Sequence, residues 1–216
     1  RFCHRLKCIM DLDFSQFSAN QIYHLMTQTV IPRPIAWALT NSGDATAPSY
    51  NLAPFSYFAP VSSTPPLLML SVGNKTEGVP KDTVLSVLKN PQMTIHIAHD
   101  SQFKEVTKTA ASLEFGMSEI EHADLQLTEF KGFSLPRLKN CDIAFGCELY
   151  EVKEIGDAPQ HLVFLEVKKL YISDRVSQLD DKGRINIDPQ KVQPLARLGA
   201  SLYAKQGEVF SQKRPD

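Results

Sequence analysis

The chain has 216 residues, 43% of them hydrophobic and 22% charged, and its formal net charge is −1 at pH 7. That composition describes an ordinary globular unit that can bury a core without disulfide staples. Neither sign of charge is clustered and no apolar run approaches the roughly 18 residues of a membrane span, so no nucleic acid or membrane partner is expected and a small-molecule ligand is the default.

Arg1 to Met10 carry Arg1, Arg5 and Lys7 without the apolar stretch of a secretory signal. Residues 1–9 read as a tag remnant or upstream extension, with Met10 as the native start and one domain over 10–216. Cys3, His4 and Cys8 in that segment fall short of a zinc ligand set, so no metal is expected. Cys141 and Cys147 are expected in one strand, where about 3.4 Å per residue places them roughly 20 Å apart, beyond bridging distance. The cysteines fit a reducing, cytoplasmic setting.

Ser18 caps a predicted helix running to about Gln28, with Ile22, Leu25 and Met26 on one face. Ile31-Pro32-Arg33-Pro34 cannot be helical and sets an extended entry to a strand over 35–40. Asn41-Ser42-Gly43-Asp44 reads as a turn, with Ser49 to Phe58 as the returning strand. Pro65-Pro66 opens a strand from Leu67 to Val72, apolar at nearly every position and expected to be buried on both faces. A polar loop over 73–80 leads to a helix from about Asp82 to Lys89, with Val84, Val87 and Leu88 at helical spacing.

Met93 to Ala98 reads as a short strand, Ser101 to Leu113 as a helix, and Ser118 to Asp124 as an acidic irregular stretch. Long strands follow over 143–152 and 161–172, joined through a Gly156-Asp157 turn. Asp180-Asp181-Lys182-Gly183 is a turn before a strand over 184–187, and a last helix is expected from Pro189 to about Leu198. Hairpins and meanders with inserted helices, without βαβ alternation, predict a mainly β fold: an antiparallel, Greek-key type barrel with flanking helices.

The sequence lacks a GxSxG elbow, a Walker loop, a GxGxxG after a strand and an HExxH. No catalytic residue is therefore assigned, and any chemistry is expected to come from a cofactor. Three segments remain as candidates. In Pro32 to Trp37 the lone tryptophan either sits in the core or borders a planar ligand. In Asn51 to Phe58, Pro54 removes a ladder donor and forces an edge or a bulge, which either only bends the strand or frees backbone groups for a ligand. Lys81-Asp82-Thr83 is either a plain helix start or a phosphate site, combining free N–H groups, a lysine and a hydroxyl. Asp82 would repel phosphate if it faced the site, so it is expected to cap the helix or pair with a base.

In order and spacing, Pro32 to Trp37, Asn51 to Phe58, Pro65-Pro66 and Lys81 to Thr83 resemble the flavin reductase-like, FMN-binding split-barrel family. The similarity runs on through 118–125 and 152–167 to Leu195-Ala196-Arg197-Leu198-Gly199. Where many relatives have a glycine after Gly199, this chain has Ala200. The resemblance implies a homodimer with FMN near the interface and NADH or NADPH as the electron donor. It implies that Trp37 and the backbone of Asn51, Ala53, Pro54, Tyr57 and Phe58 line the isoalloxazine ring. Ser56, Lys81 and Thr83, with Asp82 beside them, would hold the phosphate, and His161 and Phe164 could approach the flavin. It leaves two functions open: an NAD(P)H-dependent flavin oxidoreductase, or a flavoredoxin-like electron carrier without nicotinamide turnover.

Overall fold

The computed structural model describes residues 11–213 and 215, apart from 45, 77, 112–117 and 158. Residues 1–9, with Cys3 and Cys8, lie outside the described residues, as does part of the helix expected over 101–113.

Helix α1 (Ala19–Thr29) begins where its cap predicts. Ser18 Oγ accepts from the Gln21 backbone N–H, and the Gln21 side chain accepts in return from the Ser18 N–H. The apolar face of α1 is only half covered, with Ile22 and Leu25 partly buried and Tyr23 and Met26 exposed. The chain turns through a cis Ile31–Pro32 bond and a two-residue strand, Arg33–Pro34, into the main sheet.

Seven strands build that sheet: β1 (Ala36–Asn41), β2 (Tyr50–Phe55), β3 (Phe58–Ser63), β4 (Pro66–Val72), β5 (Gln92–Ile97), β6 (Ile143–Ile155) and β7 (Gln160–Ile172). Their order is β2-β1-β5-β6-β7-β4-β3, and every pairing is antiparallel. The two edge strands, β2 and β3, are consecutive in the chain and separated only by Ser56 and Tyr57. A sheet whose opposite edges are joined by a dipeptide must curl round on itself. The result is a barrel closed at that corner and split along the rest of the seam, the fold expected from the sequence.

This corner corrects the strand expected over 49–58. The strand breaks at Ser56–Tyr57 because the chain leaves one edge of the sheet and joins the other, where the Tyr57 carbonyl accepts from Ser71 N–H at 2.8 Å. Pro54 sits in β2 without any register shift against β1, so the edge explains it and no bulge is needed. Strand β4 is also corrected. Leu68, Leu70 and Val72 are buried while Leu67, Met69 and Ser71 are half-exposed, as an antiparallel wall with one interior face requires.

Two hydrophobic clusters lie on opposite faces of the sheet. Ala36, Ala38, Phe55, Leu70, Ile95, Val163 and Leu165 pack with Val84 and Val87 of helix α2 (Asp82–Lys89). Trp37, Leu39, Leu52 and Leu138 pack on the other face with Val106 of α3 (Phe103–Lys108) and Ile120 of α4 (Glu119–His122). Strand β1 is buried on both sides for this reason. Leu88, expected on the apolar face of α2, is 56% exposed.

The other departures are local. The stretch expected to be irregular over 118–124 contains α4. The polar loop over 73–80 holds a small hairpin, Asn74–Thr76 with Val79–Pro80. The last helix, α5 (Pro189–Val192), stops early because Gln193 turns left-handed (φ 39°) and Pro194 cannot continue it. Ala196–Arg197 then pairs with Arg33–Pro34. Cys141 precedes β6 and Cys147 lies within it, and both are buried free thiols. Among the described residues, no helix is long and apolar enough to cross a membrane.

Candidate functional site

The three segments singled out in the sequence meet around β2. Thr83, in the first turn of α2, is 2% exposed, and its Oγ1 accepts from Asn51 Nδ2 at 3.1 Å. That bond fastens the start of the helix to the strand. Beside it, Lys81 Nζ lies 5.8 Å from the centroid of the Phe55 ring. Lys81 is the N-cap of α2 and makes no side-chain capping bond; the Val84 N–H donates to the Lys81 carbonyl at 2.9 Å, which leaves the N–H groups of Asp82 and Thr83 as donors at the helix start. Asp82 turns away to Lys75, with Nζ to Oδ2 at 3.3 Å, which is the pairing with a base expected of it.

At the barrel corner, Ser56 Oγ accepts from Arg33 Nε at 3.3 Å, and the Arg33 guanidinium lies 5.8 Å from the Tyr57 ring centroid. Arg33 is 6% exposed, and its Nη1 donates to the carbonyls of Thr27 in the last turn of α1 and of Val30 just after it. Burial raises the Tyr57 phenol above its ordinary pKa, with Tyr23 of α1 adding to the shift and Arg33 opposing it. Arg33 thus ties α1 to the corner. It lies inside the Pro32 to Trp37 motif, but its role was not legible because nothing in the sequence shows where a guanidinium between two prolines will reach.

The outer edge of β2 is the other resource. Ala38 pairs with Ala53 and Leu39 with Leu52, while Leu52 N–H is bonded away from the sheet, to Glu119 Oε2 of α4 at 3.5 Å. By alternation, the backbone groups of Tyr50, Leu52 and Pro54 face outward. Ala53, Pro54, Ser56, Tyr57 and Phe58 are all half-exposed. Burial raises the Glu119 carboxyl pKa. The Glu119 and Leu52 backbone N–H groups pull it down, Asp82 pushes it up, and Lys75 pulls it down. Sequence reasoning missed Glu119, because one acid in an acidic stretch carries no distinguishing signal.

One expectation is corrected. Trp37 is fully buried, and its Nε1 donates to Thr109 Oγ1 at 2.9 Å, so its ring has no free face for a planar ligand and it is a core residue. Thr83, 2% exposed, holds helix to strand through the bond it accepts from Asn51. His161 is 4% exposed, between Asn74 Oδ1 (2.9 Å) and Glu154 Oε1 (3.5 Å).

A cavity of about 860 Å³ lies elsewhere, lined by His99, Gln102, Glu105, Lys108, Asp142 and Arg175 among others, and includes none of the predicted residues. Among the described residues, no group of three or more His, Cys, Asp or Glu could hold a metal ion. What β2 and α2 present instead is a wall with a cation, the N–H groups of Asp82 and Thr83, the Ser56 hydroxyl after the strand, and outward backbone groups along its length. Such a donor set suits an elongated ligand with a phosphate at one end and a flat, hydrogen-bonding ring system at the other.

Residues 26–186 match the family model described as a flavin reductase like domain. The uncharacterized protein YwrF of Bacillus subtilis is 37% identical over 205 residues, spanning 93% of this chain and 96% of that protein. Nitrilotriacetate monooxygenase component B of Bacillus cereus superposes with a TM-score of 0.85 at 30% identity, covering 95% of this chain and 99% of that one. The 2-nitrobenzoate 2-nitroreductase NbaA of Pseudomonas fluorescens superposes at 0.81 with 24% identity, over 95% and 96% of the two chains, a likeness of fold alone.

Proposed function

The chain belongs to the flavin reductase-like family, and on that premise we propose that it binds FMN along the outer edge of β2 and passes hydride to it from NADH or NADPH. The observation that carries the reading is the Asn51–Thr83 bond, which holds the start of α2 and its Lys81 against the same strand whose edge is open.

Lys81, the free N–H groups of α2 and the Ser56 hydroxyl would hold the phosphate, as one cation with neutral donors suits a group of nearly two negative charges. The Arg33 guanidinium orients Ser56 by donating to its Oγ, leaving the serine proton free to be donated. The outward backbone groups of Tyr50, Leu52 and Pro54 would orient the ring. When bound, FMN would supply the redox chemistry, taking up hydride and passing electrons on, so the chain itself need not provide a general base.

An exposed apolar surface supports the reading of a homodimer. Tyr23 and Met26 of α1, with Val30 and Ile31 after it, are each at least 40% exposed, and Arg33 links this apolar surface to the barrel corner. A second copy seated there would cover the apolar face and flank the FMN.

A visible absorption spectrum of the purified protein, before and after anaerobic NADH or NADPH, tests the reading. A flavin band that bleaches on addition supports the oxidoreductase and names the donor. A flavin band that persists assigns the protein to the flavoredoxin-like carrier class. Failure to bind added FMN overturns the proposal.

A further inference from the structure

We propose that Glu119 sets how tightly the site holds FMN in its two redox states, loosening the hold on the reduced form more than on the oxidised form. The inference rests on the FMN reading above.

Within β2 only Tyr50 and Leu52 offer outward N–H groups, because Pro54 has none to give. Of these, Leu52 N–H already points at Glu119 Oε2, at 3.5 Å. This is a long bond by ordinary hydrogen-bond geometry, so a better acceptor can displace it. A ring laid along this edge therefore meets a carboxylate at one of its two donors.

The charge around Glu119 does not cancel. Lys75, on the hairpin before α2, reaches Glu119 only together with its partner Asp82, whose opposite effect on the carboxyl is the larger. Lys81 faces the Phe55 side of the strand. Hydride transfer from NADH, which leaves as NAD⁺, adds one negative charge to the bound ligand. A fixed anion beside the ring opposes that gain more than it opposes the neutral ring. Glu119 thus favours departure of the reduced flavin and gives the site the character of a supplier of reduced FMN instead of a carrier that keeps it.

The test uses the whole chain and its Glu119→Gln variant, with separate dissociation constants for oxidised and anaerobically reduced FMN and the midpoint potential of the bound flavin. The expected result is reduced FMN held about tenfold tighter and oxidised FMN changed less, so that the potential rises by up to about 30 mV, the two-electron equivalent of a tenfold change. Glu119→Asp, which keeps the charge, is expected to keep the wild-type potential. Glu121→Gln, an exposed carboxylate on the same short helix, is expected to change nothing. An unchanged or lowered potential in Glu119→Gln, or an equal rise in Glu121→Gln, overturns the inference while leaving FMN binding standing. A wild-type chain that binds no FMN overturns the FMN reading first, and this inference with it.

Discussion

Asn51 Nδ2 donates to Thr83 Oγ1 at 3.1 Å, and by that bond an edge strand of the barrel and the first turn of α2 become one surface. Thr83→Val keeps the shape and removes the acceptor, leaving the half-buried Asn51 amide with only a 3.5 Å contact to Thr40. The expected loss is about 1 kcal/mol of stability by urea unfolding, with weaker FMN binding because the helix start is no longer held to the strand.

Lys81→Ala removes the cation at the helix start without opening a void, since the side chain is exposed. Loss of one charge-assisted hydrogen bond is expected to cost about 1.5–3 kcal/mol, or roughly ten- to a hundredfold in FMN affinity. Fluorescence titration measures this, and an unchanged dissociation constant removes Lys81 from the site.

Trp37→Phe separates core from ligand contact. The variant loses the Nε1–H bond to Thr109 and part of the indole volume inside a sealed cluster. It is expected to lose about 1–3 kcal/mol of stability while binding FMN as before. A selective loss of FMN affinity at unchanged stability would restore the ligand-lining role.

His96 makes stability depend on pH. It is fully buried; Leu138 N–H donates to its Nε2, so Nδ1 carries the proton and donates to the Trp37 carbonyl. Burial lowers its pKa from 6.5 to about 4, against the raising effect of the Trp37 carbonyl. The unfolded chain takes up a proton near 6.5 and the folded one only near 4. Stability is therefore full above about 6.5, falls as pH drops through that window, and levels off below about 4. The loss is about 3 kcal/mol at most by linkage. Urea midpoints across that window measure it, and His96→Gln is expected to flatten the dependence.

Ala200→Gly is expected to stabilise. Ala200 has φ of 46°, in the left-handed region where a Cβ costs about 1–2 kcal/mol, partly offset by the greater chain entropy of glycine. A rise in melting temperature equivalent to about 1 kcal/mol is the outcome to look for.

Local signals were the legible part of the fold. The Ser18 cap, the Asp82 to Lys89 helix and the paired long strands all appear where periodicity and turn residues place them. The barrel corner was not legible, because Asn51 to Phe58 reads as one apolar, β-forming run and nothing local records that the chain changes edges. The helix expected from Pro189 to about Leu198 ends at Val192, because the left-handed turn at Gln193 has no mark in the residue itself. Motif order singled out β2 and α2, which the structure brings together through Asn51 and Thr83, whereas only burial places Trp37 in the core, and burial is a property of the assembled sheet. Arg33 and Glu119 matter through partners remote in sequence, which no window of residues contains.

The dipeptide between β2 and β3 also limits what kinds of change the chain can absorb. One residue added between Ser56 and Tyr57 would shift β3 by one position against β4 and turn its inward side chains outward. Other connections, such as the turn after Asp180, can lengthen without disturbing any barrel strand. At this corner the number of residues is constrained more tightly than their identity, so insertions and deletions are expected to be excluded here even though both side chains are half-exposed.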